Sequence, residues 1–271
     1  MDCGPRRRWG AQTARKAREM DALITPERVV EDRMQRLGLS REDLAVAPTV
    51  VLSWRLEVIE SLAQAAGAAL QPAWSRSDHF RFYTGQVGDR PVSFGNLPIG
   101  APQTVMMMEE MIACGAATFV GLGWAGSLQQ HLRIGSLIVP TSCLREEGTS
   151  CHYVEDEQAI VADPALAAGL VRAGQALDLP VHSGRLWTTD APYRELRSKA
   201  LAYRRQGVLG VDMETSAMYA LGVFRGVRAC NLLVVSDELG ADWDHAFGSQ
   251  RLIDATRVAE RVVLRCLSER G

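Results

Sequence analysis

Short apolar runs alternate with stretches in which apolar residues recur at helical spacing, and this alternation organises nearly the whole chain. The first element with clear end signals is TPERVVEDRMQRLGLSREDL (25–44). A Thr ahead of Pro26 and Glu27 opens a helix, Gly38 stops it, and a short helical turn follows. PTVVLSW (48–54) predicts the first buried strand, leading into an amphipathic helix that ends near AQAAGAAL (63–70). Further strands are predicted at FRFYTGQV (80–87), RPVSFGNL (90–97), ATFVGLG (117–123), GSLIVPTSC (135–143), HSGRLWTTD (182–190) and RACNLLVVSDE (228–238). Helices are predicted over 101–114, over YRELRSKALAYRRQ (193–206), from about Glu214 onward and over 250–269. Such alternation predicts an α/β protein with one central sheet, mostly parallel and covered by helices on both sides.

No internal repeat, low-complexity linker or mid-chain change of composition interrupts the pattern. A single domain over 48–271 is expected, preceded by an extension with a helix over 1–47. At 271 residues and 47% hydrophobic, the chain can bury a large core. Its formal charge of -2 gives no whole-protein attraction to nucleic acid or an anionic membrane, so an anionic ligand needs a local site. The six cysteines are scattered without metal-ligand spacing and predict reduced thiols in a cytoplasmic protein with no bound metal. The basic N-terminus lacks the apolar core of a secretory signal and is expected to be a solvated tail, and no stretch is long and apolar enough to span a bilayer.

In open α/β sheets ligands gather where strands end and helices begin. Four stretches meet that condition: FVGLGWAGSLQ (119–129), EEGTSCHY (146–153), VDMETSAM (211–218) and VVSDE (234–238). The first predicts a tight glycine turn whose amides can approach a ligand. Its literal G-x-G-x-x-G runs on into a strand and supplies no acid about twenty residues later, which argues against a nicotinamide site. Asp237 stands at the end of a strongly apolar strand, where it can cap a turn or act as a general acid. Asp212 suits a helix start, whereas Glu214 sits among Val211, Met213, Ala217 and Met218 and needs hydrogen-bond donors if buried. A sugar diol would supply two, with Met213 as the apolar face beside it.

Val211-Asp212-Met213-Glu214 followed by Val235-Ser236-Asp237 resembles the nucleoside phosphorylase superfamily, which includes purine nucleoside and uridine phosphorylases and related nucleosidases. The resemblance extends through FYTGQVGDRPVSF (82–94), residues 100–140, EEGTSCHY and TTDAPYRE (188–195), from about Pro48 to the C-terminus. It implies a partly barrel-like sheet, a dimer-based homo-oligomer that could reach a hexamer, and no cofactor beyond phosphate as co-substrate. It implies that Met213 and Glu214 hold the ribose, with Glu214 accepting from the 2′- and 3′-hydroxyls, and that Asp237 protonates N7 of a leaving purine. Asp190, Tyr193, Arg194, Asp212 and Ser236 fall where the base is held. The Gln-x-Arg pair of uridine-specific members is missing from the segment after TTD, although Arg194 or Arg197 could reach a base carbonyl; together with Asp237 this favours a purine nucleoside.

Departures cluster at the phosphate site. Phe119 and Leu122 stand where an Arg and a Ser or Thr are expected, Trp124 is bulkier than expected, and LSWRLEV replaces the Gly-Asp-Pro-x-Arg turn. Arg55, Gly123, Trp124 and Ser127 remain as candidates to hold phosphate. Glu57 lies near the place where hydrolytic nucleosidases keep a water-activating Glu. His79 and Arg81 lie in a segment that in some relatives lends a cation to a neighbouring subunit. The expected activity is phosphorolysis of a nucleoside to base and ribose 1-phosphate. Hydrolysis on the same scaffold, uridine as substrate, and nucleoside binding without turnover are the alternatives.

Overall fold

Thr25 caps the first helix as its place before Pro26 predicts: its side chain accepts a hydrogen bond from the Arg28 amide, and Gly38 ends the helix in the left-handed conformation at φ 63. The computed structural model describes residues 22–75, 80–155, 160–240 and 242–269. In chain order the elements are α1 (Pro26–Leu37), β1 (Thr49–Ser53), α2 (Leu56–Ala65), β2 (Ala69–Leu70), β3 (Phe82–Val87), β4 (Arg90–Asn96), α3 (Ala101–Ala113), β5 (Thr118–Ser127), β6 (Leu137–Glu146), α4 (Pro164–Gln175), β7 (Val181–Thr189), α5 (Arg197–Arg205), β8 (Gly210–Asp212), α6 (Thr215–Arg225), β9 (Arg228–Leu239), β10 (Trp243–His245) and α7 (Gln250–Ser268). Single 3-10 turns lie at Ser150–His152 and Pro192–Arg194.

The strands form one mixed sheet in the order β10-β9-β6-β7-β8-β5-β1-β4-β3-β2. A further β5–β9 pairing joins β5, β9, β6, β7 and β8 into a closed ring, leaving β1, β4, β3 and β2 as an open wing. The long ladders β5–β9 and β6–β7 are parallel, as are β1–β4, β1–β5 and β7–β8. Ring closure removes the free edges those central strands would otherwise carry. Large side chains fill the interior, with Trp74, Trp187, Tyr219, Phe82, Phe94 and Phe119 fully buried. The helix of the N-terminal segment shares this core: Val30, Leu44 and Val46 belong to it, and Arg33 on α1 forms a buried ion pair with Glu110 on α3.

The structure corrects one expectation that bears on the site. The glycine-rich run at 121–126 is not a turn, because β5 continues through it as strand to Ser127. Gly121 and Gly123 instead permit close packing. A Cβ on Gly121 would collide with the side-chain carbonyl of Asn231, and one on Gly123 would fall 2.8 Å from the Trp54 ring. The pattern also misses α4, capped by Asp163 accepting from the Leu166 amide at 2.8 Å, and the short strands β8 and β10.

Candidate active site

The ends of β1, β5 and β9, the start of α6 and the turn before α5 enclose a cavity of about 730 Å³, within the range of small-molecule sites. Among the predicted residues, Arg55, Gly123, Trp124, Tyr193, Asp212, Met213, Glu214, Ser236 and Asp237 line it.

Its most buried acids follow β8. Asp212 closes the strand and accepts from Thr188 Oγ1 at 2.8 Å and from the Thr215 amide at 3.0 Å, and the Thr215 hydroxyl donates to it as well. It is therefore the helix-start acid expected, capping α6, and its oxygens are engaged within the protein. Behind it Ser216 donates to Glu147, whose other oxygen takes the amides of Thr149 at 2.6 Å and Ser150 at 2.8 Å. This network fixes the start of α6 and with it the direction of Glu214.

Glu214 is 6% exposed and accepts a hydrogen bond from the Gly100 amide at 2.7 Å, with the Met213 amide as a lesser donor. Gly100 caps α3 with φ 112, a conformation reserved for glycine. Burial, followed by the charge of Asp212 beside it, pushes the Glu214 carboxyl above the usual carboxylate range. Burial also raises Asp212, opposed by the hydrogen bonds from Thr215 and Thr188. Two acids meeting in one dry corner is costly, so this pair favours hydrogen-bond donors from a ligand.

At the other wall the β5–β9 register slips: Ala125 faces Val235 but Gly126 faces Asp237, which leaves Ser236 as an extra residue. Bulges of this kind re-aim side chains. Asp237 is held by Ser236 Oγ donating at 2.7 Å to one oxygen and Trp243 Nε1 donating at 2.9 Å to the other.

The expected phosphate region is aromatic. Trp54 packs on Gly121 and Gly123 and donates to Thr104 Oγ1 at 2.8 Å, while Trp124 donates to Thr256 Oγ1 at 3.1 Å. The Arg55 guanidinium lies 4.5 Å from the Trp124 ring and its Nε donates to Glu57 at 2.8 Å.

The remaining predicted residues lie off the cavity wall. Glu57 is exposed and tied to Arg55, and Ser127 is buried with its hydroxyl donating to Gln129 O at 3.0 Å. Asp190 accepts the Gly148 amide at 2.8 Å, Arg194 is exposed on its 3-10 turn, and Arg81 precedes β3 with its amide bonded to Asn96. His79 lies outside the described residues. Sequence reasoning missed Trp54, Glu195, Trp243 and Phe247, which line the cavity, as does Arg197. Glu195 directly continues TTDAPYR, the only signal that could have nominated it. Among the described residues, no helix is long and apolar enough to cross a membrane and no cluster of His, Cys, Asp and Glu is placed to hold a metal.

Comparison with known proteins agrees with this architecture. The chain is 27% identical over 258 residues to a uridine phosphorylase of Thermococcus kodakarensis, covering 90% of this chain and 91% of that one. It is 30% identical over 176 residues to a guanosine phosphorylase of Halorubrum lacusprofundi, covering 63% of this chain and 73% of that one. In structure it resembles uridine phosphorylase from Vibrio fischeri with a TM-score of 0.74 at 22% identity, over 84% of this chain and 95% of that one. The family model of the phosphorylase superfamily matches residues 50–268, and the chain belongs to that superfamily.

Proposed function

We propose that this protein cleaves the N-glycosidic bond of a nucleoside with inorganic phosphate as acceptor, releasing the base and a pentose 1-phosphate. The observation that carries the reading is Glu214, a buried carboxyl met, among the described residues, only by backbone amides at the wall of a cavity large enough for a nucleoside. A vicinal diol offers two O–H donors to such a group, and Met213 adds an apolar surface beside it. The bond from C1′ to the base breaks through an oxocarbenium-like state, so firm hold of the sugar and a proton for the base are what the site must supply. Asp237, next to the bulge and held by Ser236 and Trp243, supports the reading as the candidate acid of the leaving group. Arg55 over Trp124 is the cation that lines the acceptor region.

The purine preference rests on Asp237 together with the missing Gln-x-Arg pair. The names of the relatives favour a second reading, uridine as substrate, since the Thermococcus kodakarensis protein is a uridine phosphorylase. A third, water as acceptor, draws support from Phe119 where an Arg is expected and from the indoles of Trp54 and Trp124 in that region, although Glu57 does not line the cavity. The reading includes a homo-oligomer, with exposed Ile99 beside the cavity as a surface that a second copy could cover.

Incubating the purified protein with inosine, guanosine, adenosine and uridine, with and without phosphate, tests this directly. Phosphate-dependent release of base is expected, fastest for a purine. Release that ignores phosphate would replace phosphorolysis by hydrolysis, and turnover of uridine alone would overturn the purine preference.

A further inference from the structure

Few of the residues expected at the base are placed to hold one. Asp190 and Arg194 lie off the cavity wall, Asp212 is engaged by Thr188 and Thr215, Ser236 donates to Asp237, and Tyr193 is almost fully exposed. Beside Asp237 stands an aromatic surface supplied by WDHAF (243–247). The pairing of β10 with β9 sets Trp243 opposite Leu239 and His245 opposite Asp237, and the Trp243 indole N–H donates to the Asp237 carboxyl at 2.9 Å. From there the rings follow one another. Between centroids, Trp243 lies 4.5 Å from His245 and 6.2 Å from Phe247, His245 stacks on Phe247 at 5.3 Å, and Phe247 stacks on Trp124 at 6.1 Å. Trp243, Phe247 and Trp124 line the cavity. Their mutual packing leaves much of this surface bare, since Trp243 is 61% exposed and Phe247 47%. Large rings left wet in a cavity offer apolar faces that a planar ligand could cover.

Resting on the nucleoside-cleaving reading above, we propose that Trp243 and Phe247 form the surface on which the base stacks, and that they set the preference for a purine. Stacking on an aromatic side chain uses the π-face that every base has, and so leaves the ring nitrogens at the edge of the base to polar groups. The polar group at hand is Asp237. Its carboxyl is held by the indole N–H, so Trp243 ties the place of the base to the aim of the acid. A fused bicyclic purine covers more of two rings 6.2 Å apart than a single pyrimidine ring does. The row of rings ends at Trp124, with the Arg55 guanidinium 4.5 Å from its centroid, so the stacked base and the acceptor cation lie along one aromatic wall.

The test measures binding of free hypoxanthine and free uracil by isothermal titration calorimetry, which needs no turnover, alongside steady-state kinetics on inosine. Phe247→Leu and Trp243→Leu keep an apolar side chain and lose the π-face. Each should weaken hypoxanthine about tenfold, within the range for one stacked base, and weaken uracil less, while the KM for phosphate stays in place. Trp243→Phe keeps a ring and removes the N–H donor, so hypoxanthine binding should stay near that of wild type while kcat on inosine falls. Leu variants that bind hypoxanthine as wild type does, or whose losses are equal for both bases, would overturn the stacking surface and leave the nucleoside reading to stand on wild-type turnover. Base binding with the expected losses in the Leu variants, from a wild type that cleaves no nucleoside, would uphold the surface and overturn the nucleoside reading. A wild type that binds neither base would overturn the surface whether or not it cleaves nucleosides.

Discussion

The two ends of the cavity have been treated differently. At the end proposed for the sugar, Glu214 and the neighbouring Asp212 are fastened by the Gly100 amide and by Thr188 and Thr215. At the end proposed for the acceptor, Phe119 stands where an Arg is expected, and two indoles pinned by Thr104 and Thr256 cover Gly121 and Gly123 or flank Arg55. The sugar presents the same diol whatever attacks it, so that end has one chemical solution. The acceptor end has to suit only its nucleophile, and a half-exposed Arg on an aromatic face can hold an anion with fewer charges.

Removing the carboxylate at the sugar end is the severest way to break this contrast. Glu214→Ala is expected to lower kcat/KM by about 10³-fold, two charge-assisted hydrogen bonds of about 2 kcal/mol each. A tenfold loss or less in steady-state assays would rule out the diol as the partner of this carboxyl. Next comes Trp54→Ala, which strips the indole from its glycine floor and leaves the Thr104 hydroxyl without its donor. A half-buried indole contributes about 2 kcal/mol, so the melting temperature should fall by about 6 °C in differential scanning calorimetry. An unchanged melting curve would mean that the indole only occupies space. Arg55→Ala should raise the phosphate KM by about tenfold and leave the nucleoside KM in place, since a partly screened cation is worth about 1.4 kcal/mol. If both constants moved together, Arg55 would belong to the general structure of the wall.

The smallest effect concerns stability against pH. Burial makes the native Glu195 carboxyl bind its proton more tightly than the usual 4.5, up to about 7. The folded state therefore holds more protons than the unfolded one across that window, and wild-type stability declines as pH rises through it. Glu195→Gln does not titrate, so its melting temperature relative to wild type should be higher at pH 8 than at pH 5. A difference that is the same at both values would place Glu195 in a wetter setting than the cavity wall.

Much of the fold and part of the site are legible in the sequence, for identifiable reasons. Thr25 and Gly38 bracket α1 because capping is local chemistry, and the runs at 48–54 and 228–238 are strands because buried parallel strands are apolar on both faces. Glu214 can be singled out because a lone acid among Val, Met and Ala demands a partner. Other features are hidden by what they depend on. Helix α4, PALAAGLVRAGQ, is built from small residues whose pattern is weak, although Asp163-Pro164 opens it as Thr25-Pro26 opens α1. The strand character of 121–126 depends on Trp54 and Asn231 packing against glycines that look locally like a turn. Glu195 reads as an ordinary surface acid until the fold sets it into the cavity wall.

Gly100 shows how far such dependence reaches. Its amide meets the Glu214 carboxylate only because the backbone there sits at φ 112, which an L side chain rarely tolerates. A Cβ at this position would find open space around it, its nearest neighbour being Pro102 at 3.9 Å, so any penalty would come from the backbone alone. In a saturation scan, then, positions 100 and 214 should share a phenotype across a separation of 114 residues, and a genetic map built on proximity in sequence would file one lesion under two headings.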